Sequence, residues 1–473
     1  MRVSPLLIAA VSASLFFGKV ATAQDEPKEM LIEIVPAAVP KAPLENPLLP
    51  PRLETTPGNA ALLYLRATTM AGELKTQIAE FREKIDRYLE SPLKEFPVDD
   101  ARKDVAAFEH ALNELRTAAR RRSCDWQLPI EESGTQLYYL ILPEMQALRD
   151  LSRVLAVRIR IETHDGRIDD AIDSLQTGYA MGLHIADAPF LVNALVGVAT
   201  CEVMNSRVLE LAQFDKSPNL YWSLTALPQP LVDMRQALDV ESVSAMMVFP
   251  ELANADTVTG QESRADFERF LDRFDKLSGD STNTTGPEYQ LRKRLVDTLN
   301  DDAAMSNVRS FLKEQPQYSE EAVNNMAPTQ AVMIRERILY TRLRDSMFVH
   351  SFLPFDQAQA GFAAWNSNYE QMTKDGTGLP LVALLLPGID KACEARARLQ
   401  RRIAELRIVE ALRAYAAEHA GKLPDSLNDL GLPVSTNPVD GKPFAYSHDG
   451  KAATLRTDDG SRLQIHYRLQ VRK

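Results

Sequence analysis

The side chain of this 473-residue sequence most suggestive of chemistry is a carboxylate inside an apolar helix. Glu202, with Asn193 and Asn205, interrupts a segment that is apolar nearly all round from 190 to 211. A buried carboxyl without a partner has a raised pKa, which is how acid catalysts are made. An arginine beside it, Arg207 or one from a neighbouring helix, would instead hold it ionised and make it structural. Ser91-Pro92-Leu93-Lys94 matches a bare Ser-x-x-Lys pair but lacks the companion motifs of serine acylases. Arg120-Arg121-Arg122, ahead of Ser123-Cys124-Asp125-Trp126, offers either cations for an anionic partner or a match to the negative end of a helix dipole. His110 lies beside an apolar helix face, with no second histidine at metal-ligand spacing. The sequence holds no His-Glu-x-x-His, no Gly-x-Ser-x-Gly, no phosphate-cradling glycine loop and no Cys-x-x-Cys. No catalytic, cofactor-binding or metal-binding residue is assigned, and no cofactor is expected.

The helices that would position these groups can be read from their period. Leu148, Leu151, Leu155 and Ile159 form one stripe with Arg149, Arg153 and Arg160 outside it, and His164-Asp165-Gly166 ends that helix. A second stripe follows on Ile168, Ala171, Ile172, Leu175, Tyr179 and Leu183, with Asp169, Asp170 and Asp173 toward its positive end. Asp187-Ala188-Pro189 predicts an N-cap and first-turn proline for the 190–211 helix. Ala194, Gly197 and Cys201 would let a neighbouring backbone come close there. That helix has the length of a membrane span, but Asn193, Thr200, Glu202, Asn205, Ser206 and Arg207 mark it as a core helix.

Residues 1–23 read as a signal peptide: Met1-Arg2, an apolar run over 6–18, and Ala21-Thr22-Ala23 before Gln24. The remaining chain is expected to be exported, with no membrane span. Removing Arg2 and Lys19 takes the net charge from −11 to −13, which argues against nucleic acid as a partner. Three cysteines cannot all pair with one another; Cys124 with Cys201 is one option, and buried free thiols are the other. The proline-punctuated stretch 24–57 reads as an extended linker or strap.

Helices are then expected near Asn59, through Ile78, Phe81, Ile85 and Leu89, and over about 99–122 on Val105, Phe108, Leu112 and Leu115. Ser217-Pro218 predicts a cap leading into Asn219-Leu220-Tyr221-Trp222, whose aromatics would anchor one helix on another or form a binding platform. Beyond a loop at 278–287, Ile334, Ile338, Leu339, Leu343 and Met347 predict a helix with Arg335, Arg337, Arg342 and Arg344 on a solvated edge. The apolar run 379–386 is too short to cross a membrane. A long helix is expected from about Asp390 to Ala420, capped by Gly421. Short apolar runs at 444–446, 453–455 and 463–467, separated by Asp449-Gly450 and Asp459-Gly460, predict a three-stranded antiparallel meander.

Cys124-Asp125-Trp126, Gly166-Arg167-Ile168-Asp169-Asp170-Ala171, and Asn219-Leu220-Tyr221-Trp222 with Leu227-Pro228-Gln229-Pro230-Leu231 together resemble a set of uncharacterised exported helical proteins of planctomycete bacteria. That resemblance implies architecture and export but no reaction. The 166–180 portion is also similar to the second helix of a tetratricopeptide repeat, without a second copy at that period. Near the C-terminus, a long helix, Lys422-Leu423-Pro424-Asp425-Ser426-Leu427, and Asn437-Pro438-Val439-Asp440-Gly441-Lys442-Pro443-Phe444 resemble the globular part of type II secretion pseudopilins. Pseudopilins set a small antiparallel sheet against a long helix, and some bind calcium near it. Asp449, Asp458 and Asp459 are available here, although aspartates in Asp-Gly turns need no metal. The prepilin-peptidase site and apolar assembly helix of that family are missing, so pilin-like polymerisation is not expected.

The sequence thus predicts a mainly α protein: a helical-hairpin bundle followed by a small α+β domain, a long helix plus the meander. The expected divisions are 1–23, 24–57, 58–378 and 379–473. The expected role is non-enzymatic, an exported interaction or scaffold protein with envelope or secretion-related proteins as partners. The alternative is an exported hydrolase whose site is assembled from distant residues, with Glu202 the one acid to test.

Overall fold

The computed structural model describes residues 28–42, 44–128, 142–278, 287–374, 386, 388–457 and 465–472. The expected signal peptide, residues 279–286 of the loop, the apolar run up to 385, and Asp458 and Asp459 lie outside the described residues. Within them the protein is mainly helical, with 17 helices and a small sheet. No helix among them is long and apolar enough to cross a membrane.

In chain order the strands are β1 (Lys28–Ile34), β2 (Thr56–Asn59), β3 (Arg121–Ser123), β4 (Ala445–His448), β5 (Ala452–Arg456) and β6 (Ile465–Val471). The helices begin with α1 (Ala61–Glu73), α2 (Lys75–Glu90), α3 (Val98–Ala106), α4 (Glu109–Ala119), α5 (Leu142–His164), α6 (Ile168–Ala186), α7 (Leu191–Leu211) and α8 (Tyr221–Thr225). They continue with α9 (Arg235–Val248), α10 (Pro250–Ala253), α11 (Gly260–Ser278), α12 (Pro287–Asn300), α13 (Asp302–Lys313), α14 (Glu320–Asn325), α15 (Pro328–Ser351), α16 (Phe355–Lys374) and α17 (Ile389–Glu418). Two compact units result. One gathers Val20–Gln127, Ile141–Ala237 and Glu394–Lys473; the other is built on Leu238–Cys393.

In the first unit α5, α6 and α7 pack on one another. Leu148, Leu151, Leu155 and Ile159 of α5 are buried, as are Ala171, Ile172, Leu175 and Tyr179 of α6. Small residues set the spacing between α6 and α7. A Cβ on Gly197 would stand 2.5 Å from the Gly182 carbonyl oxygen, and one on Gly182 would stand 2.6 Å from Cys201 Sγ. Asp187 does not cap α7. Its N–H bonds back to Leu183 and Ile185, so it closes α6, and Phe190 stands at the N-cap of α7. The single helix expected over 99–122 is broken at Ala107–Phe108, where Phe108 turns its N–H to Val105 and buries its ring. Its last residues are strand β3, paired in parallel with β2.

Arg160, expected outside the α5 stripe, is fully buried. Its guanidinium reaches the Tyr88 carbonyl and, at 2.6 Å, that of Ser91, the groups that the end of α2 leaves unpaired. It also lies over the Phe96 ring and 3.1 Å from Glu210. Burial lowers its pKa to about 10, against the pull of Glu210.

The sheet has a strand that the sequence reading assigned to the linker. β1 pairs in parallel with β6, Lys28 opposite Ile465 through Ile34 opposite Val471, and the order is β1-β6-β5-β4 with the remaining pairs antiparallel. The backbone then crosses to Arg413 of α17. Arg413 Nε donates to the Val35 carbonyl at 2.8 Å, Nη1 to Pro218 at 3.1 Å, Nη2 to Ser217 at 2.9 Å, and Nη1 to both Glu410 oxygens at 2.8 and 2.9 Å. Glu410 in turn accepts the Leu220 N–H, and Asn219 donates to the Ala37 and Glu410 carbonyls. Ser217-Pro218 therefore serves as acceptor for this arginine, and α8 starts later, at Tyr221. Tyr221 is buried, with Arg407 stacked over its ring at 5.2 Å, which makes it an anchor between elements.

In the second unit α15 carries the core on Ala331, Val332, Met333, Ile334 and Tyr340. Arg342 is exposed, as expected, while Arg335, Arg337 and Arg344 are half-buried, and all four have partners. Arg335 pairs with Glu336, Arg337 with Asp256, Arg342 bonds Gln315, and Arg344 donates to the Ser242 carbonyl at 2.7 Å. Each is bent onto an acceptor of the same unit: Glu336 on α15 itself, Asp256 and Gln315 between helices, and the Ser242 carbonyl on α9.

Glu410 and Arg413 are 1% and 0% exposed, so removing one charge strands the other. Arg413→Met is expected to lower unfolding free energy by about 3–5 kcal/mol. The double variant Glu410→Gln/Arg413→Met should recover part of that loss, because the orphan charge is gone while three carbonyls stay unpaired. Urea unfolding of the four members of the cycle measures both; an additive result would show the pair to be uncoupled.

Candidate functional site

Glu202 sits on α7 facing α17. Arg402 Nε is 3.6 Å from its carboxylate, and Asn205 donates to Oε2 at 3.2 Å while accepting from the Tyr179 hydroxyl at 2.7 Å. Arg402 is shared with Glu405, which also accepts from the Tyr467 hydroxyl at 3.2 Å. Crowding by helix atoms raises the Glu202 pKa, and Arg402, Asn205, Arg401 and Arg398 oppose that rise, in that order. The carboxylate retains 43% of its side-chain surface. Its arginine thus comes from a neighbouring helix, whereas Arg207 pairs with Glu210 at 2.8 Å. Asn193 is not brought to this cluster; it donates to Met145 Sδ at 2.9 Å.

The arginine run begins at a helix terminus, with Arg120 the C-cap of α4 and donating to the Arg116 carbonyl at 3.2 Å, and continues into β3. Arg120 bonds Asp173, as does Arg116 at 2.8 Å. Arg121 and Arg122 lie on β3 and spend their donors on uncharged oxygens of the segment beside it. Arg121 Nη1 reaches Thr56 Oγ1 at 3.1 Å and the Pro57 carbonyl at 2.8 Å; Arg122 Nη2 reaches the Thr55 carbonyl at 3.2 Å. Gly58, at φ +130°, lets the Arg121 guanidinium lie against the backbone, since a Cβ there would be 3.2 Å from Nη1. Beyond β3, Asn59 and Asp125 exchange two hydrogen bonds of 2.7 and 2.9 Å. Trp126 stacks on Tyr64 and donates to the His184 carbonyl at 2.8 Å. The Cys124-Asp125-Trp126 stretch is therefore a clasp that fixes the arginines against α1 and α6.

Thr55, Arg121 and Arg122 border a cleft of about 800 Å³ within the first unit, whose lining also includes Arg52, His184, Asp187 and the 228–235 turn. His184 Nδ1 is 2.9 Å from the Tyr64 hydroxyl, and burial lowers its pKa to about 4, so the ring is neutral at pH 7. Arg235 is matched by Asp233 at its side. Arg52 and His184 were not singled out in the sequence, and the only signal available was that Arg52 follows Pro50-Pro51, a rigid approach to a turn.

The other candidates are placed apart from one another. Ser91 ends α2 and gives its carbonyl to Arg160, while Lys94 pairs at the surface with Glu33. His110 is exposed on α4. Asp449 accepts the N–H groups of Lys451 and Ala452, which closes a turn and lowers its pKa. Cys124, Cys201 and Cys393 are free thiols, the last two buried. Among the described residues no three His, Cys, Asp or Glu side chains gather as metal ligands. No family model, curated protein or solved structure matches the chain.

His184 gives a pH dependence with a defined sign. Its folded pKa lies below the ordinary 6.5, so the unfolded chain binds the proton more readily. The contribution is complete above about pH 6.5 and is lost as pH falls toward about 4, by roughly 1.4 kcal/mol per pH unit at most. Denaturation at pH 7.5 and pH 5 should show a smaller difference for His184→Gln than for the unaltered protein; equal differences would assign the dependence elsewhere.

Proposed function

We propose that this protein is an exported, non-enzymatic interaction protein of the periplasm or cell envelope, docking to secretion or surface-fibre machinery through its C-terminal helix and strands. The observation that carries this reading is α17 and what it buries. A long helix followed by antiparallel β4, β5 and β6 within one compact unit is in keeping with the helix-plus-meander arrangement of pseudopilin-like domains. Unlike an assembly helix, α17 turns Arg401, Arg402, Glu405, Glu410 and Arg413 inward, each at most 6% exposed. A helix whose charges are matched inside its own fold has no apolar face to give to a fibre core, so docking falls to the outer surface around the strands. Cross-linking in intact cells, recovery of the tagged protein and mass spectrometry of what is attached test this. Secretion or fibre components joined through residues after Asp390 are expected, and recovery of the protein alone would sink the docking reading.

The raised pKa and partial exposure of Glu202 favour one second reading, an exported hydrolase using it as an acid. Under the docking reading Glu202→Ala removes one of the two carboxylates beside Arg402, leaving Glu405, and costs about 1 kcal/mol of stability, with no hydrolytic activity to lose. A folded variant that lost a measurable ester, peptide, glycoside or phosphate hydrolysis would establish the enzyme instead.

A further inference from the structure

We propose that the cleft beside β3 is a binding site for a small organic anion, a carboxylate or phosphate ester carried on an apolar body. It lies away from the C-terminal strands and is independent of the docking reading. The charge balance is the first argument. Arg52, Arg121, Arg122 and Arg235 line the cleft against Asp187 and Asp233, an excess of two positive charges in a chain whose net charge is −11. Asp233 serves Arg235, and among the described residues no carboxylate comes within 4.0 Å of Arg52, Arg121 or Arg122. Neighbouring arginines on the same unit do have such partners: Arg66 has Glu114, and Arg116 and Arg120 share Asp173.

Preorganisation is the second. Arg121 and Arg122 are tethered through neutral oxygens of Thr55, Thr56 and Pro57, which fixes the guanidinium groups without neutralising them. A ligand anion meets cations already in place, so little side-chain freedom is lost on binding. The third argument is the wall opposite. Leu183 of α6, half-buried, lines the same space, backed by the buried Ala180, Ala186, Leu231 and Val232. A volume of about 800 Å³ suits a small molecule, and a positive rim over an apolar wall selects a ligand with an anionic head. A guanidinium pairs with carboxylate or phosphate oxygens through two parallel hydrogen bonds.

Calorimetric titration of the full chain in 0.15 M salt tests this with phenyl phosphate, octanoate, inorganic phosphate and a glutamate-rich peptide. Saturable binding of phenyl phosphate or octanoate is expected, with inorganic phosphate about tenfold or more weaker because it has no apolar body to bury. Arg52 is exposed and makes no side-chain bond among the described residues, so Arg52→Gln should keep the melting temperature and weaken binding about threefold or more, with Arg52→Glu weaker still. Arg121→Gln/Arg122→Gln should abolish it. Failure of both organic anions to bind, indifference to the Arg52 variants, equal affinity for inorganic phosphate, or binding of the peptide alone would each overturn the proposal.

Discussion

One buried ion pair ties together pieces of chain that lie far apart in sequence. Glu410 and Arg413, one helical turn apart on α17, receive the backbone that follows β1 and the 217–220 turn that follows α7. Arginine suits the position because its planar fork offers five donors in fixed directions, where lysine would offer a single mobile point of charge. All three nitrogens find acceptors: Nε the Val35 carbonyl, Nη2 that of Ser217, and Nη1 the Pro218 carbonyl and both Glu410 oxygens. The segment after β1 and the turn before α8 are both held against α17 by this pair.

The same device recurs through the first unit. Arg160 clamps the end of α2, Arg402 bridges Glu202 and Glu405, and Arg407 stacks over Tyr221. Hydrophobic burial brings the helices together, as the close approach at Gly182 and Gly197 illustrates. Direction comes from guanidinium groups, since carbonyls at helix ends and turns accept only along defined lines. This division of labour explains why the acid that looks most like a catalyst, Glu202, is embedded in an arginine network. It also explains why Arg121 and Arg122 differ from the rest: neutral oxygens hold them in place, and no carboxylate among the described residues balances their charge.

Much of the helical framework could be read from the chain because apolar period is a local property. The stripes on 148–159 and 168–183 correspond to α5 and α6, and the long C-terminal helix to α17. What escaped the reading depends on partners distant in sequence. Arg160 stands outside its stripe by period, yet it is buried because the carbonyls of Tyr88 and Ser91 arrive beside it. Lys28–Ile34 reads as part of a proline-punctuated strap and becomes a strand only because β6 offers an edge. Arg120–122 reads as a helix end, since nothing nearby announces that Thr56–Asn59 will pair with it. The cleft is the extreme case, because its lining is drawn from four stretches of chain.

The pairing of β1 with β6 also sets a timetable. A chain emerging from its N-terminus presents β1 early, whereas the strand that completes it comes after all of Leu238–Cys393. The second unit can close on its own neighbours while the first waits for its last eighty residues, about the length of Glu394–Lys473. Until then β1 is an unpaired edge that any passing strand could adopt. The first unit is thus a late-closing structure, its sheet completed only once the last strand is available.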